Sequence, residues 1–126
     1  MSDRLTVAHL SAVAQQMPGD PAVDDWGVPA AAIARCEAVV AETPVYQGPR
    51  AQAAALFHTL LRLPMLEHSN GPFAIAAAID LLQYHGIDGK YDALAWANLA
   101  VEVAEGRASV SDVLATIRGW TTTPEG

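Results

Sequence analysis

From Pro49 to Leu63 the apolar residues Ala53, Leu56, Phe57, Leu60 and Leu63 recur in steps of three and four, while Gln52, Thr59 and Arg62 take the other side. This period predicts an amphipathic helix, opened by Pro49 at a first-turn position and ended by Pro64. The next apolar stretch has a different pattern. From Pro72 to about His85, Phe73, Ile75, Ile79, Leu81 and Leu82 leave almost no polar side, and no charge precedes Asp80. A helix apolar on most faces is a buried one, so 72–85 is expected at the centre of the fold, closed by Gly86 in a left-handed conformation.

Four more helices fit around this pair. Val7 to Met17 follows Thr6 as cap, and Pro18-Gly-Asp-Pro21 then stops regular structure. Pro29 opens a helix expected to reach Ala41. Thr43 to Gly48 is expected as a short extended link, strand-like only at Val45-Tyr46. Asp92 can cap a helix from Ala93 to Glu105, with Gly106 as its stop. The last begins near Ser109 or Ser111 and ends near Trp120, with Val110, Val113, Leu114 and Ile117 on one stripe. Thr121 to Gly126 is expected to be a frayed tail. The fold class predicted is all-α, a single domain over 1–126 of about six helices around the buried 72–85 element, with no real sheet.

Charge narrows the function. The chain of 126 residues carries 7 basic and 14 acidic side chains, a formal net charge of -7. A nucleic-acid binder needs a basic face to displace counterions, and an anionic membrane attracts basic segments, so neither partner is expected. No apolar run approaches the roughly 20 residues of a membrane span, and Met1 to Leu5 lacks the basic-then-apolar start of a leader. A cytoplasmic protein is the expectation. The single cysteine, Cys36, lies on the apolar pattern Ile33-Cys36-Val40 and reads as a buried structural thiol. Trp26, Trp96 and Trp120 read as core or core-edge residues rather than a binding surface, and His9 and His85 as helix-end residues.

Several short segments carry a more specific signal. Leu5-Thr6-Val7 opens the first helix. Asp25-Trp26-Gly27 precedes an alanine-rich helix containing Arg35, and Ala53-Ala54-Ala55-Leu56-Phe57-His58 leads into the loop before the central helix. Ala74 to His85-Gly86 and Val103-Ala104-Glu105-Gly106 follow in order. In order and spacing, from Leu5 to Trp120, these resemble the Fic/Doc family, most nearly the small Doc (death-on-curing) toxins. The resemblance implies a helical bundle with an active loop reading His-x-Phe-x-(Asp/Glu)-Gly-Asn-(Lys/Arg)-Arg. In that loop the His is general base, the acid holds a metal, and Gly-Asn with the final Arg grips phosphates at a helix N-terminus.

Aligned on Asn70, the window here is Pro64-Met65-Leu66-Glu67-His68-Ser69-Asn70-Gly71-Pro72. Pro64 stands at the base position, His68 at the acid, and Gly71 and Pro72 at the two basic positions. Loss of a positioned base alone typically costs about 10²–10⁴ in rate. The expectation is therefore a Doc-like domain with a degenerate motif, a pseudoenzyme that binds a protein or small ligand in the cleft near Asn70. Ser69, Asn70 and Gly71 are the candidate ligand-binding residues. Tyr46, in the segment matching the family's target-docking flap, is the candidate partner contact. The cofactor is unassigned: ATP or another nucleotide with magnesium follows only if the cleft survives.

Two alternatives stand beside this reading. In an active Fic/Doc-type phosphotransferase or nucleotidyltransferase of altered chemistry, Glu67 and His68 would be the catalytic pair. In a toxin–antitoxin component, the retained property would be an antitoxin-like protein partner. A metal site from His58, Glu67 and His68 is disfavoured, because no pair has the helical i, i+4 spacing.

Overall fold

The computed structural model describes residues 4–89 and 92–122. Six helices make the body: α1 (Val7–Ala14), α2 (Gly27–Cys36), α3 (Pro49–Arg62), α4 (Asn70–Tyr84), α5 (Ala93–Ala104) and α6 (Val110–Trp120). Two antiparallel pairs of very short strands are attached to it, β1 (Val39–Val40) with β2 (Thr43–Pro44) and β3 (Asp88–Gly89) with β4 (Thr121–Thr122). The fold is all-α, as the periodicity predicts.

The cap residues act through their side chains. Thr6 Oγ1 accepts from His9 N at 3.0 Å, and Asp92 Oδ1 accepts from Leu94 N and Ala95 N. Ser109 and Asp112 form a reciprocal capping box at the start of α6. Each satisfies donors that the first helical turn leaves open.

The centre is shared by α4 and α3. On α4, Phe73, Ala74, Ala77, Ala78, Leu81 and Leu82 are buried. Helix α3 packs against α2, α4, α5 and α6, so it is covered almost all round. Its alanines Ala53, Ala54 and Ala55 are fully buried, which lets neighbouring helices approach closely. Phe57 lies at its middle, edge to face with Trp96, which in turn meets Trp120. Burying such side chains contributes about 1.5–3 kcal/mol each. Thr59, assigned by period to the solvent side, is buried instead. Its hydroxyl donates to Ala55 O at 2.8 Å and accepts from Arg35 Nη1 at 3.0 Å, so the polar side of α3 is covered by polar neighbours.

Other boundaries differ for local reasons. Helix α1 ends at Ala14, where Gln16 and Met17 continue in turns. Helix α2 starts at Gly27, before Pro29, and stops at Cys36 rather than Ala41. The β-branched pair Val39-Val40 leaves it to pair with Thr43-Pro44 across a two-residue turn, with Ala41 at φ 50° and Glu42 at φ 66°. The strand-like element is thus Thr43–Pro44, and Val45 adds only one bond, its N–H donating to Ala38 O. At the other end, Thr121 is buried and pairs with Gly89, where a Cβ would meet Trp120 O at 2.4 Å. The expected frayed tail therefore begins with paired residues, and its part from 123 onward lies outside the described residues. Trp96 and Trp120 join the core, but Trp26 is 58% exposed at the start of α2. Cys36 is buried, and burial pushes its thiol up to about 12. No helix among the described residues is long and apolar enough to cross a membrane.

Candidate functional site

The loop between α3 and α4 is stitched down at almost every residue. Met65 and Leu66 are buried, and Leu66 pairs with Val23 in an isolated antiparallel bridge. Asp24 N donates to Met65 O at 2.7 Å, and Glu67 N to Ala22 O at 3.0 Å. The chain between α1 and α2 therefore forms a short extended lining for this loop.

Asn70 closes the loop from inside. Its Oδ1 accepts from Leu66 N at 3.0 Å, and its Nδ2 donates to Leu66 O at 2.9 Å. Both ends of the amide are thus engaged by one backbone residue. Ser69 stands in the left-handed region at φ 66° and gives the helix no side-chain cap. Gly71 meets nothing within 4 Å of where a Cβ would stand, and Pro72 has no N–H to offer an anion. Of the candidate ligand-binding residues, Asn70 and Gly71 line one groove, and Ser69 instead meets His68, its Oγ lying 2.8 Å from His68 Nδ1.

Glu67 and His68 lie side by side but face the α1–α2 segment. Glu67 Oε1 accepts from Ala22 N at 3.0 Å. His68 lies against Gly19, and its Nε2 is 3.9 Å from Glu67 Oε1. Both are exposed, and neither lines the groove that holds Asn70. That groove, of about 400 Å³, runs between α3, α4 and α5 over Leu61, Pro64, Pro72, Ile75, Ala100 and Val101. Its walls carry no charged side chain. Among the described residues no group of three or more His, Cys, Asp or Glu comes together to hold a metal. The loop from Pro64 to Pro72 offers no Lys or Arg side chain to a nucleotide's phosphates, its one carboxylate, Glu67, bonds Ala22 N, and the Asn70 amide is engaged by Leu66.

The other histidine of that candidate metal set, His58, belongs elsewhere. His58 lies in a separate cleft of about 600 Å³ between α2, α3 and α6, which shares no lining residue with the groove. Arg35 Nη1 lies 3.0 Å from His58 Nδ1. Guanidinium can only donate, so Nδ1 accepts and the ring is neutral. Burial first, then the charges of Arg35 and Arg62, hold the His58 pKa below its ordinary value, opposed by a hydrogen bond to the Ala108 backbone. Arg35 Nε also donates to Tyr46 OH at 3.2 Å, with the guanidinium 5.9 Å above the Tyr46 ring. Tyr46 therefore anchors the base of the β1–β2 hairpin to α2 and lines this cleft.

Arg35 and Arg118 were not singled out as site residues by pattern. A signal was present: neither has an acid three or four positions away on its own helix, in a chain with twice as many acids as bases. Compared with protein-family models and with curated proteins, the chain matches none.

Proposed function

We propose that this chain is a Fic/Doc-like helical domain that works by binding a protein partner, not by transferring AMP or phosphate. The observation that carries this reading is the double hydrogen bond between the Asn70 amide and the Leu66 backbone. It turns the one polar residue kept from the family's loop into a structural clamp. With Pro64 at the base position the loop has no proton acceptor there, and with Gly71 and Pro72 at the basic positions it has no cationic side chain there for a phosphate. A missing base and a missing electrostatic contact each cost about 10²–10³ or more in rate, and either alone suppresses the chemistry.

The partner would place an apolar segment in the groove between α3, α4 and α5. Support comes from the apolar walls of that groove and from Leu63, Leu94 and Val101, which are exposed nearby in sequence or on the same helix. An antitoxin-like protein is the partner the resemblance implies. A cytoplasmic location belongs to the same reading, supported by a free thiol at Cys36 that requires no oxidising compartment.

Calorimetric titration with ATP, GTP, CTP and UTP, with and without magnesium, tests this. No heat in the millimolar range is the expected result. Micromolar, metal-dependent binding that weakens in Asn70→Ala would overturn it. A small protein encoded beside this chain, if it binds, is expected to lose affinity with Ala97→Arg in the groove and to keep it with Glu67→Ala/His68→Ala.

A further inference from the structure

The cleft between α2, α3 and α6 is the opposite of the groove in chemistry. Arg35 and Arg118 both line it, with no carboxylate among the lining residues. This is notable in a chain with 14 acidic side chains against 7 basic ones. Arg118 makes no hydrogen bond or ion pair among the described residues. Arg35 uses Nε and Nη1 on Tyr46, His58 and Thr59, and its Nη2 has no partner there. All three of those partners are neutral. The acid in the first turn of α6, Asp112, is turned away to the Ser109 backbone N–H.

The remaining polar lining residues, Tyr46, Gln47, Ser109 and Ser111, are neutral and each carries a donor. Tyr46 OH accepts from Arg35 Nε, which leaves its own proton for the cleft. Ser109 Oγ accepts from Asp112 N, and Ser111 stands beside it with a hydroxyl free of any protein bond among the described residues. His58 adds no positive charge but fixes Arg35 in place. With two guanidinium groups, several hydroxyls and the Gln47 amide around it and no carboxylate, the cleft matches the lone pairs of an oxyanion. The apolar part of the wall is Val45, Ala51, Val110 and Leu114. A bare inorganic ion would leave that surface wet, whereas an anion with an apolar body would cover it.

We propose that this cleft binds a small organic oxyanion, its carboxylate or phosphate head met by Arg35 and Arg118 and its apolar body lying on Val110 and Leu114. The site is independent of the loop at Asn70, so it stands or falls apart from the binding function assigned above.

The test is calorimetric titration of the full chain at low ionic strength with phenylphosphate, benzoate and the neutral benzamide, alongside the NMR signals of the His58 ring. Binding of at least one anion, with a shift at His58 and no response to benzamide, is the expected result. Arg118→Ala is expected to weaken it about tenfold, Arg118→Lys to restore part of the loss, and Arg107→Ala to change nothing. Arg118 is exposed, so its removal leaves the core intact, and an unchanged melting temperature confirms that. Preference for phenylphosphate assigns a phosphate ester, and preference for benzoate a carboxylate. Absence of binding by either anion in the millimolar range overturns the proposal, as does binding that survives Arg118→Ala unchanged.

Discussion

The loop at Asn70 and the cleft at Arg35 use similar residue types to opposite ends. In the loop, the polar side chains face inward or sideways to backbone: Asn70 to Leu66, Glu67 to Ala22. What is left facing the neighbouring groove is apolar. In the cleft, Arg35 is fixed by Tyr46, His58 and Thr59, yet part of its guanidinium and all of Arg118 remain available. A polar residue marks a functional surface only when its hydrogen-bonding capacity exceeds what the fold takes up. Asn70 commits both ends of its amide to Leu66, whereas Arg35 keeps Nη2 and its charge for the cleft.

The largest effect that separates the two regions is expected from Asn70→Ala. The substitution leaves the N–H and C=O of Leu66 without their partner in a half-buried loop. Each unsatisfied group costs about 1–3 kcal/mol, and water reaching the loop offsets part of it, so a loss of about 2–3 kcal/mol is expected. Urea unfolding measures it directly. A stability change below about 0.5 kcal/mol, the usual range of an inert surface substitution, would show that the clamp is not structural and would return Asn70 to the list of ligand contacts.

A smaller effect distinguishes the cleft by pH. His58 has its folded pKa held below the ordinary imidazole value of about 6.5, so the unfolded chain binds its proton more readily than the folded one. This group therefore contributes stability that is complete above the unfolded pKa and declines as pH falls below about 6.5 toward the folded value. Arg35→Met removes the second largest cause of the depression while burial and Arg62 remain. The His58 titration, followed by NMR, is expected to move upward, and the acid-side loss of stability to shrink. An unmoved titration would mean that Arg35 does not act on the ring, and the picture of a fixed guanidinium would fail.

Much of the fold could be read from period and caps, and much less of the site. The stripe on α3, the apolar α4, the caps Thr6 and Asp92 and a last helix starting near Ser109 or Ser111 are local signals that the structure repeats, with Ser109 as the cap. The β1–β2 hairpin was hidden because Glu37 to Val40 continues an alanine-rich helical pattern, and only the pairing with Thr43-Pro44 makes it strand. Thr59 was misplaced for a related reason: periodicity reports which side is apolar, not whether a neighbour's guanidinium covers the polar side. The same limit applies to Asn70. Its place in the sequence only resembles a phosphate-gripping loop, and its amide geometry depends on Leu66 being buried and pinned to Val23, a contact across more than 40 residues of chain.

The smallest effect is expected from Glu67→Ala combined with His68→Ala, and it is the most telling about chemistry. Glu67 gives up one exposed hydrogen bond to Ala22 N, and His68 one to the adjacent Ser69 hydroxyl. Both side chains are about half exposed, 47% and 48%, so water replaces these partners. The combined cost is expected to stay within about 1 kcal/mol, with the melting temperature moving by a few degrees at most. Transfer from labelled ATP to protein is expected to be at background in both the parent and the double variant. If the parent transfers label and the double variant does not, while its stability is unchanged, then the pair is catalytic. The loop would then work through side chains facing the Gly19–Ala22 segment, and the contrast between a closed loop and an open cleft would have to be redrawn around two active regions.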